Sequence, residues 1–238
     1  MQSLLAATAA LGLIGGGALY TAVEATSMMQ VAQEDDGQAL APRRIIVGID
    51  LSRSNPLIED PGFAAKVGRR VAMQISSLGF ASEVHVRTFG SFDSSSNNFA
   101  YDQVISTHAR PAYVAVEVER LVAGTPTLVE RGKWRSQGTT NILAFLDDVV
   151  LSIGCDAMPT TVILASDGLE DSEYARLQRP QASLPKPEGK PFHGCAELEI
   201  LGIGQGTHSP SETARLRAQW AGWARAAGFA RFTGLNDW

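Results

Sequence analysis

Hydrophobic and polar positions along residues 43–235 follow two periods, one typical of strands and one typical of helices. Short segments that are apolar on both faces, or at every second position, predict strands at Ile45–Ile49, Glu83–Phe89, Phe99–Ile105, Thr160–Ala165, Leu198–Ile203 and Ala230–Leu235. Between them, apolar residues at three- and four-residue spacing predict helices that begin near Pro61, Asn141 and Pro210. Because strands and helices alternate, the pattern predicts an α/β fold: a doubly wound, mostly parallel open sheet with helices on both faces.

Two stretches are less regular. In residues 111–134, Val114, Val118 and Leu121 have helical spacing, but the many valines there are poor helix formers, so the segment is ambiguous. Residues 169–195 contain four prolines and few apolar residues. They predict a long irregular insertion that includes a short helix at 171–178.

The first 42 residues differ from the rest because they contain no Lys or Arg. Residues 4–23 are uncharged and just long enough to cross a bilayer as a helix, although Gly and Ala make them only weakly hydrophobic. The alternatives are a membrane anchor, a cleaved secretory signal and a buried helix. We predict a signal or anchor at 1–25, a linker at 26–42 and a globular domain at 43–238. An anchor or a signal would export that domain to the periplasm or the exterior.

Composition narrows the possible partners. The chain has 238 residues, of which 45% are hydrophobic and 19% charged, as is usual for a folded domain. The net charge of -5 gives no basic excess, so we predict no nucleic-acid partner. Cys155 and Cys195 are the two cysteines, and they fit either one disulfide in an exported domain or two buried free thiols.

Polar oxygen-bearing residues follow two of the predicted strands. Asp50, Ser52 and Ser54 lie at alternate positions at the end of the first strand, and Asp167 follows the Thr160–Ala165 strand. Thr140 precedes a predicted helix. In open α/β sheets, ligands bind beyond the carboxyl ends of the strands. Carboxylate and hydroxyl oxygens suit a hard divalent cation, and two carboxylates with three hydroxyls leave a position open for an incoming carboxylate.

These motifs resemble those of the von Willebrand factor type A domain. The resemblance rests on Asp50-Leu-Ser-Arg-Ser54, Gly138-Thr-Thr140 and Ser166-Asp-Gly168, in that order along the chain, and covers residues 43–236. Members of that family carry a metal-ion-dependent adhesion site built from Asp-x-Ser-x-Ser, a Thr from a second loop and an Asp from a third. The resemblance implies a doubly wound sheet, a bound Mg²⁺ (or Mn²⁺ or Ca²⁺) and a protein partner that supplies an Asp or Glu carboxylate.

The resemblance also implies a role for each residue. Ser52, Ser54 and Thr140 would bind the cation directly, and Asp50 and Asp167 would act partly through water. Thr139 is adjacent to Thr140 and stays an alternative ligand. The expected function is therefore non-enzymatic, cation-dependent protein binding at the cell envelope, with membrane attachment if residues 1–25 are retained.

Two other functions fit parts of the pattern. A magnesium-dependent phosphohydrolase of the haloacid dehalogenase type also places an Asp nucleophile at the end of its first strand, as Asp50 is placed here. That family has a general-acid Asp two positions later, where this chain has Ser52, which cannot transfer the proton usefully. The third alternative is a metal-free structural domain, against which the intact set of five oxygen-bearing residues argues.

Overall fold

The computed structural model describes residues 40–91, 99–205, 207 and 209–238; the predicted signal or anchor and residues 26–39 of the predicted linker lie outside them. Within this part of the chain, six strands form one sheet: β1 (Arg44–Asp50), β2 (Glu83–Phe89), β3 (Ala100–Val104), β4 (Thr160–Ala165), β5 (Cys195–Leu201) and β6 (Arg231–Leu235). Each lies where an apolar or alternating segment predicts a strand.

The strands are arranged in the order β3-β2-β1-β4-β5-β6. All neighbouring pairs are parallel except β2 and β3, which are antiparallel. The chain builds the sheet outward from β1 in one direction and then resumes on the other side of β1 with β4. This confirms the predicted doubly wound, mostly parallel α/β sheet and places its change of direction between β1 and β4.

The described α-helices are α1 (Pro61–Ser76), α2 (Pro111–Ala123), α3 (Thr125–Glu130), α4 (Ile142–Ser152) and α5 (Pro210–Ala227), with a 3-10 helix at Pro56–Ile58. The ambiguous segment 111–134 is therefore largely helical. Capping side chains define where helices begin. Asp60 accepts hydrogen bonds from the backbone N–H groups of Gly62 and Phe63 at the start of α1, and Ser209 accepts one from Glu212 at the start of α5.

Apolar side chains pack on both faces of the sheet. Alternate residues of β1 point to opposite sides, so that Ile45, Val47 and Ile49 join one core and Ile46 joins the other. Helices α1 and α2 cover the first core, and α4 and α5 cover the second. Gly48 faces α4, where a Cβ would lie 2.7 Å from the Phe145 ring, so only glycine allows this close approach. The two central strands, β1 and β4, are therefore buried on both faces, as their apolar sequences predict.

The insertion between β4 and β5 differs from the prediction. Residues 171–178 form no helix; they form turns and isolated bridges instead. Their backbone groups bond elsewhere, because Asp171 N–H donates to Thr140 O and Leu177 N–H donates to Glu170 O. These bonds replace the regular pattern that a helix would need.

Two findings concern the export prediction. Cys155 and Cys195 form a disulfide, with Cα atoms 5.1 Å apart, which decides between the two alternatives left open by the sequence. Among the described residues, no helix is long and apolar enough to cross a membrane.

Candidate metal centre

Asp50 and Asp167 lie at the carboxyl ends of the two strands where the sheet changes direction. Asp50 is the last residue of β1, and Asp167 follows the end of β4 by two residues. Because β1 and β4 are parallel neighbours, their ends meet at the same edge of the sheet. Both side chains are fully buried. This edge is where open α/β sheets bind ligands.

The Asp50 carboxylate is held by the two loops that meet there. Its Oδ1 accepts a hydrogen bond from Ser52 N–H at 2.8 Å, and its Oδ2 accepts one from the Ser166 hydroxyl at 2.7 Å. The Asn55 amide donates to the carbonyls of Asp50 and Ala165 at 2.8 and 2.9 Å and so joins the ends of β1 and β4. The first loop of the site (residues 50–54) and its third loop (residues 166–168) are therefore fixed to each other.

The two serines of the first loop converge as their alternate spacing predicts. The hydroxyl oxygens of Ser52 and Ser54 are 3.3 Å apart. Burial raises the pKa of Asp167, and the Ser54 hydroxyl lies close enough to that carboxyl to oppose part of the rise. The structure thus brings Asp50, Ser52, Ser54 and Asp167 together, although they come from segments more than a hundred residues apart.

Asp167 has one oxygen that is satisfied and one that is not. Its Oδ1 accepts a hydrogen bond from Leu169 N–H at 2.8 Å. Its Oδ2 is buried and has no hydrogen-bond partner among the described residues. Leaving a buried carboxylate oxygen without a partner is costly, and a cation or a cation-bound water would satisfy it. The orphaned oxygen therefore fits a bound metal ion.

Hydrogen bonds to Ser166 and Trp220 hold the turn that follows Asp167. Gly168 has a φ of +74°, a left-handed conformation that favours glycine. Its N–H donates to the Ser166 hydroxyl at 3.0 Å, and its carbonyl accepts from Trp220 Nε1 at 2.8 Å. Trp220 is a fully buried residue of α5. The third loop is therefore anchored to the core of the domain.

Thr140 lies on a second loop, between the first and the third. Gln137 N–H donates to Leu51 O at 2.8 Å, which attaches this loop to the first. Thr140 and Asp171 exchange backbone hydrogen bonds of 3.2 and 2.9 Å, which attach it to the third. Of the two candidate threonines, Thr140 is 1% exposed whereas Thr139 is exposed. The structure therefore buries Thr140 where the site loops join.

Glu170 is a residue of the site that the sequence analysis missed. It is fully buried, and its Oε2 accepts hydrogen bonds from Ile142 N–H at 2.8 Å and Leu143 N–H at 3.3 Å, at the N-terminus of α4. Its Oε1 accepts from the Ser172 hydroxyl. A carboxylate is favourable at a helix N-terminus, and here it fixes the helix that follows Thr140. No local signal marks this role, since its backbone partners are 27 and 28 residues away.

Burial governs the electrostatics of the site. It raises the pKa of Asp50, with a further contribution from the nearby Asp167 charge, and it raises the pKa of Asp167. It also raises the pKa of Glu170 to about 7. Within the described residues, no Lys, Arg or His forms an ion pair with Asp50 or Asp167. A divalent cation would supply the missing positive charge.

The donor set is suited to a hard cation rather than to a transition metal. In the part of the chain that the structure describes, no three His, Cys, Asp or Glu side chains cluster as a metal site built from those residues would require. The available donors are two carboxylates and neighbouring hydroxyls. Oxygen donors of this kind are those that Mg²⁺, Mn²⁺ and Ca²⁺ prefer.

Comparisons with known proteins add little to this picture. No protein-family model matches the chain, and no curated protein matches it. Among solved structures, it is similar to the crystal structure of an aerotolerance-related membrane protein from Bacteroides fragilis with multiple mutations to serines. That likeness has a TM-score of 0.44 and 11% sequence identity, and it covers 82% of this chain and 92% of the other. At these values it carries no argument about function.

Proposed function

We propose that this chain is a non-enzymatic protein-binding domain at the cell envelope. It binds an Asp or Glu side chain of a partner protein through Mg²⁺, or through Mn²⁺ or Ca²⁺. The observation that carries the proposal is the buried Oδ2 of Asp167, which has no hydrogen-bond partner among the described residues. No described Lys, Arg or His forms an ion pair with Asp167. The nearby hydroxyls of Ser52 and Ser54 are further oxygen donors.

Each residue of the set has a role in this proposal. Ser52, Ser54 and Thr140 hold the cation directly, and Asp50 and Asp167 hold it partly through water. Asp50 also orients the first loop through its bond from Ser52 N–H. The cation supplies positive charge to which a partner carboxylate can bind. With only two carboxylates, the set leaves coordination positions for that carboxylate.

The Cys155–Cys195 disulfide supports placement outside the cytosol, because disulfides persist in oxidising compartments. The predicted signal or anchor at residues 1–25 agrees with export. Attachment to the membrane, if that segment is retained, is part of the same proposal.

A phosphohydrolase is the alternative, and the surroundings of Asp50 do not favour it. A nucleophilic carboxylate needs an oxygen that can reach a substrate. Both oxygens of Asp50 accept hydrogen bonds from the protein, and the residue is fully buried. Ser52, which occupies the position of the general acid, lies 3.3 Å from the Ser54 hydroxyl and has no acidic proton to give.

Thermal unfolding tests the proposal directly. With Mg²⁺ at about a hundred times its Kd, binding should stabilise the fold by about 2.7 kcal/mol and raise Tm by about 5–10 °C relative to the protein in chelator. Asp50→Ala and Asp167→Ala should abolish this shift, and Asp147→Ala, on the exposed face of α4, should keep it. The proposal would be refuted if the wild-type Tm were the same in chelator as with Mg²⁺, Mn²⁺ or Ca²⁺.

A second measurement separates binding from catalysis. Turnover of a generic phosphate ester that is lost in Asp50→Asn would establish the phosphohydrolase instead. We expect no such turnover, and we expect chelator-sensitive capture of an acidic partner from envelope extract.

A further inference from the structure

A polar cleft of about 500 Å³ adjoins the candidate centre on the side of its second and third loops. We call it the arginine cleft, and the lining residues that matter here are Thr139, Asn141, Asp171, Glu173, Arg176 and Arg179. Thr139 and Asn141 flank Thr140, and Asp171 pairs with Thr140 through the backbone. A partner segment bound at the centre would therefore continue into this cleft.

Asn141 gives the cleft an unused donor. The residue is 4% exposed, and its Oδ1 accepts a hydrogen bond from Ala144 N–H at 3.1 Å, which assigns the other amide atom as Nδ2. That Nδ2 is buried and has no hydrogen-bond partner among the described residues. A buried donor without an acceptor is costly, so a ligand oxygen at this wall of the cleft would be stabilised.

Arg176 and Arg179 give the cleft two guanidinium groups on one turn, closed by a hydrogen bond from Arg179 N–H to Arg176 O. Arg176 approaches the Asp171 carboxylate only to 3.8 Å, and 59% of its side chain is exposed. In the described part of the chain, Arg179 forms no ion pair. Both guanidinium groups can therefore bind a ligand.

The form of the ligand follows from this donor set. The negative charges of Asp171 and Glu173 cancel the positive charges of the two arginines. The lining therefore has no net charge that would attract anions in general. Recognition depends instead on directed hydrogen bonds, and a planar guanidinium fork matches a carboxylate bidentately. We propose that the arginine cleft takes a second acidic side chain of the same partner segment whose first acidic side chain binds the cation.

The inference rests on the proposed function, since the first carboxylate fixes the segment at the centre. Tethering by one contact raises the effective concentration of the second group at its own site. The partner would then be an acidic peptide segment with two carboxylates a few residues apart, and single acids would bind more weakly.

Synthetic peptides test this proposal on the full chain. One series carries a single Asp in a Gly/Ser background, and the other adds a Glu two to six residues after the Asp. With Mg²⁺ present, at least one two-acid peptide should bind wild type about tenfold more tightly than the one-acid peptide, as a charge-assisted hydrogen-bonded pair predicts. Titration followed by calorimetry or NMR measures both affinities.

Variants locate the second contact. The double variant Arg176→Gln, Arg179→Gln should lose most of the preference for the two-acid peptide and keep the Mg²⁺-dependent rise in Tm. Asn141→Ser, which retains a capping oxygen but lacks the amide donor, should lose part of the preference. The matched control Arg69→Gln, Arg225→Gln removes two exposed arginines from α1 and α5 and should keep the full preference.

The outcomes distinguish this proposal from the one on which it rests. Equal wild-type affinity for one- and two-acid peptides, with cation-dependent binding intact, overturns the arginine cleft alone. A preference that is undiminished in the Arg176→Gln, Arg179→Gln variant also overturns it. If neither peptide binds wild type in a cation-dependent way, both proposals fail.

Discussion

Three buried carboxylates differ in how their charge is compensated. Glu199 on β5 forms an ion pair with Arg70. Its Oε1 accepts hydrogen bonds from Arg70 Nε at 3.2 Å and Nη2 at 2.9 Å, and its Oε2 accepts one from Gln74. Asp50 and Asp167, at the ends of β1 and β4, form no ion pair with a described Lys, Arg or His. Asp50 and Asp167 are surrounded by hydroxyl and backbone donors instead. The charge of Glu199 is thus compensated inside the protein, whereas the charges of Asp50 and Asp167 are not.

The difference separates a structural charge from a functional one. A buried carboxylate needs a partner charge because desolvation strongly disfavours it. Where Arg70 supplies the charge, the interaction is complete and has nothing to offer a ligand. Where the charge has to come from solution, the carboxylates become a site for a cation, and the cation in turn can take a ligand.

The largest effect should come from breaking the internal pair. Arg70→Ala leaves Glu199 buried without its cation, and we expect a loss of about 3 kcal/mol in the free energy of unfolding, equally with Mg²⁺ and with chelator. Denaturant unfolding measures it, and Arg69→Gln, the neighbouring exposed arginine, is the control. A loss that depends on Mg²⁺ would mean that the two regions are not independent.

At the candidate centre, by contrast, we expect removal of a charge to raise the free energy of unfolding. Asp167→Asn removes an uncompensated charge but keeps the oxygen that accepts from Leu169 N–H. In chelator at pH 7.5 this variant should be more stable than wild type by about 1–2 kcal/mol, and it should no longer respond to Mg²⁺. Destabilisation in chelator comparable to that of Arg70→Ala would erase the contrast between the regions.

The buried carboxyls of the candidate centre should also make the free energy of unfolding depend on pH. Burial raises the folded-state pKa of Asp50 and Asp167 above the ordinary 3.8, and that of Glu170 above 4.5 to about 7. Stability from their protonated forms is present below the unfolded-state pKa and is lost as pH rises through the folded-state pKa. In chelator, unfolding free energy should therefore fall by about 2 kcal/mol between pH 5 and pH 8.

Mg²⁺ should offset this loss above pH 7, because the cation binds the ionised carboxylates. Carboxyls with a lowered pKa, such as Glu83 and Asp102, titrate at lower pH and do not interfere in this window. Denaturant unfolding at several pH values, with Asp167→Asn as a flatter reference, measures the effect. Stability in chelator that rises across the same window would contradict it.

The smallest effect concerns the choice between adjacent threonines. Thr140→Ala should weaken Mg²⁺ binding about tenfold, because it removes a buried hydroxyl donor, whereas Thr139→Ala should leave the affinity unchanged. Thr140→Ser, which keeps the hydroxyl, should restore most of the affinity. Isothermal titration with Mg²⁺ compares the three, and a stronger effect at Thr139 would exchange their roles.

Much of the fold could be predicted from the sequence because its signals are local. The apolar residues of β1 and the Asp60-Pro61 start of α1 each report on their own neighbourhood, and the structure agrees with both. The proximity of Asp50 and Asp167 also followed, since two parallel strands that end in carboxylates place them at one edge of the sheet.

What the sequence did not reveal depends on contacts between distant segments. Glu170, on a different loop, caps the N-terminus of α4. The backbone hydrogen bonds between Thr140 and Asp171 are incompatible with the helix predicted at 171–178. The amide of Asn55, which joins β1 to β4, likewise has no local signal in the sequence. None of these roles has a periodicity or a spacing that a single chain displays.

The hydrogen bond from Trp220 Nε1 to Gly168 O makes the indole an optical reporter of the site. Gly168 follows Asp167 directly, so any shift of that carboxylate toward a cation moves the carbonyl to which the indole donates. Indole emission responds to such changes in its surroundings, and this indole is shielded from solvent. We therefore expect the native fluorescence of the unlabelled protein to change when the cation binds, and Trp220→Phe to silence that signal.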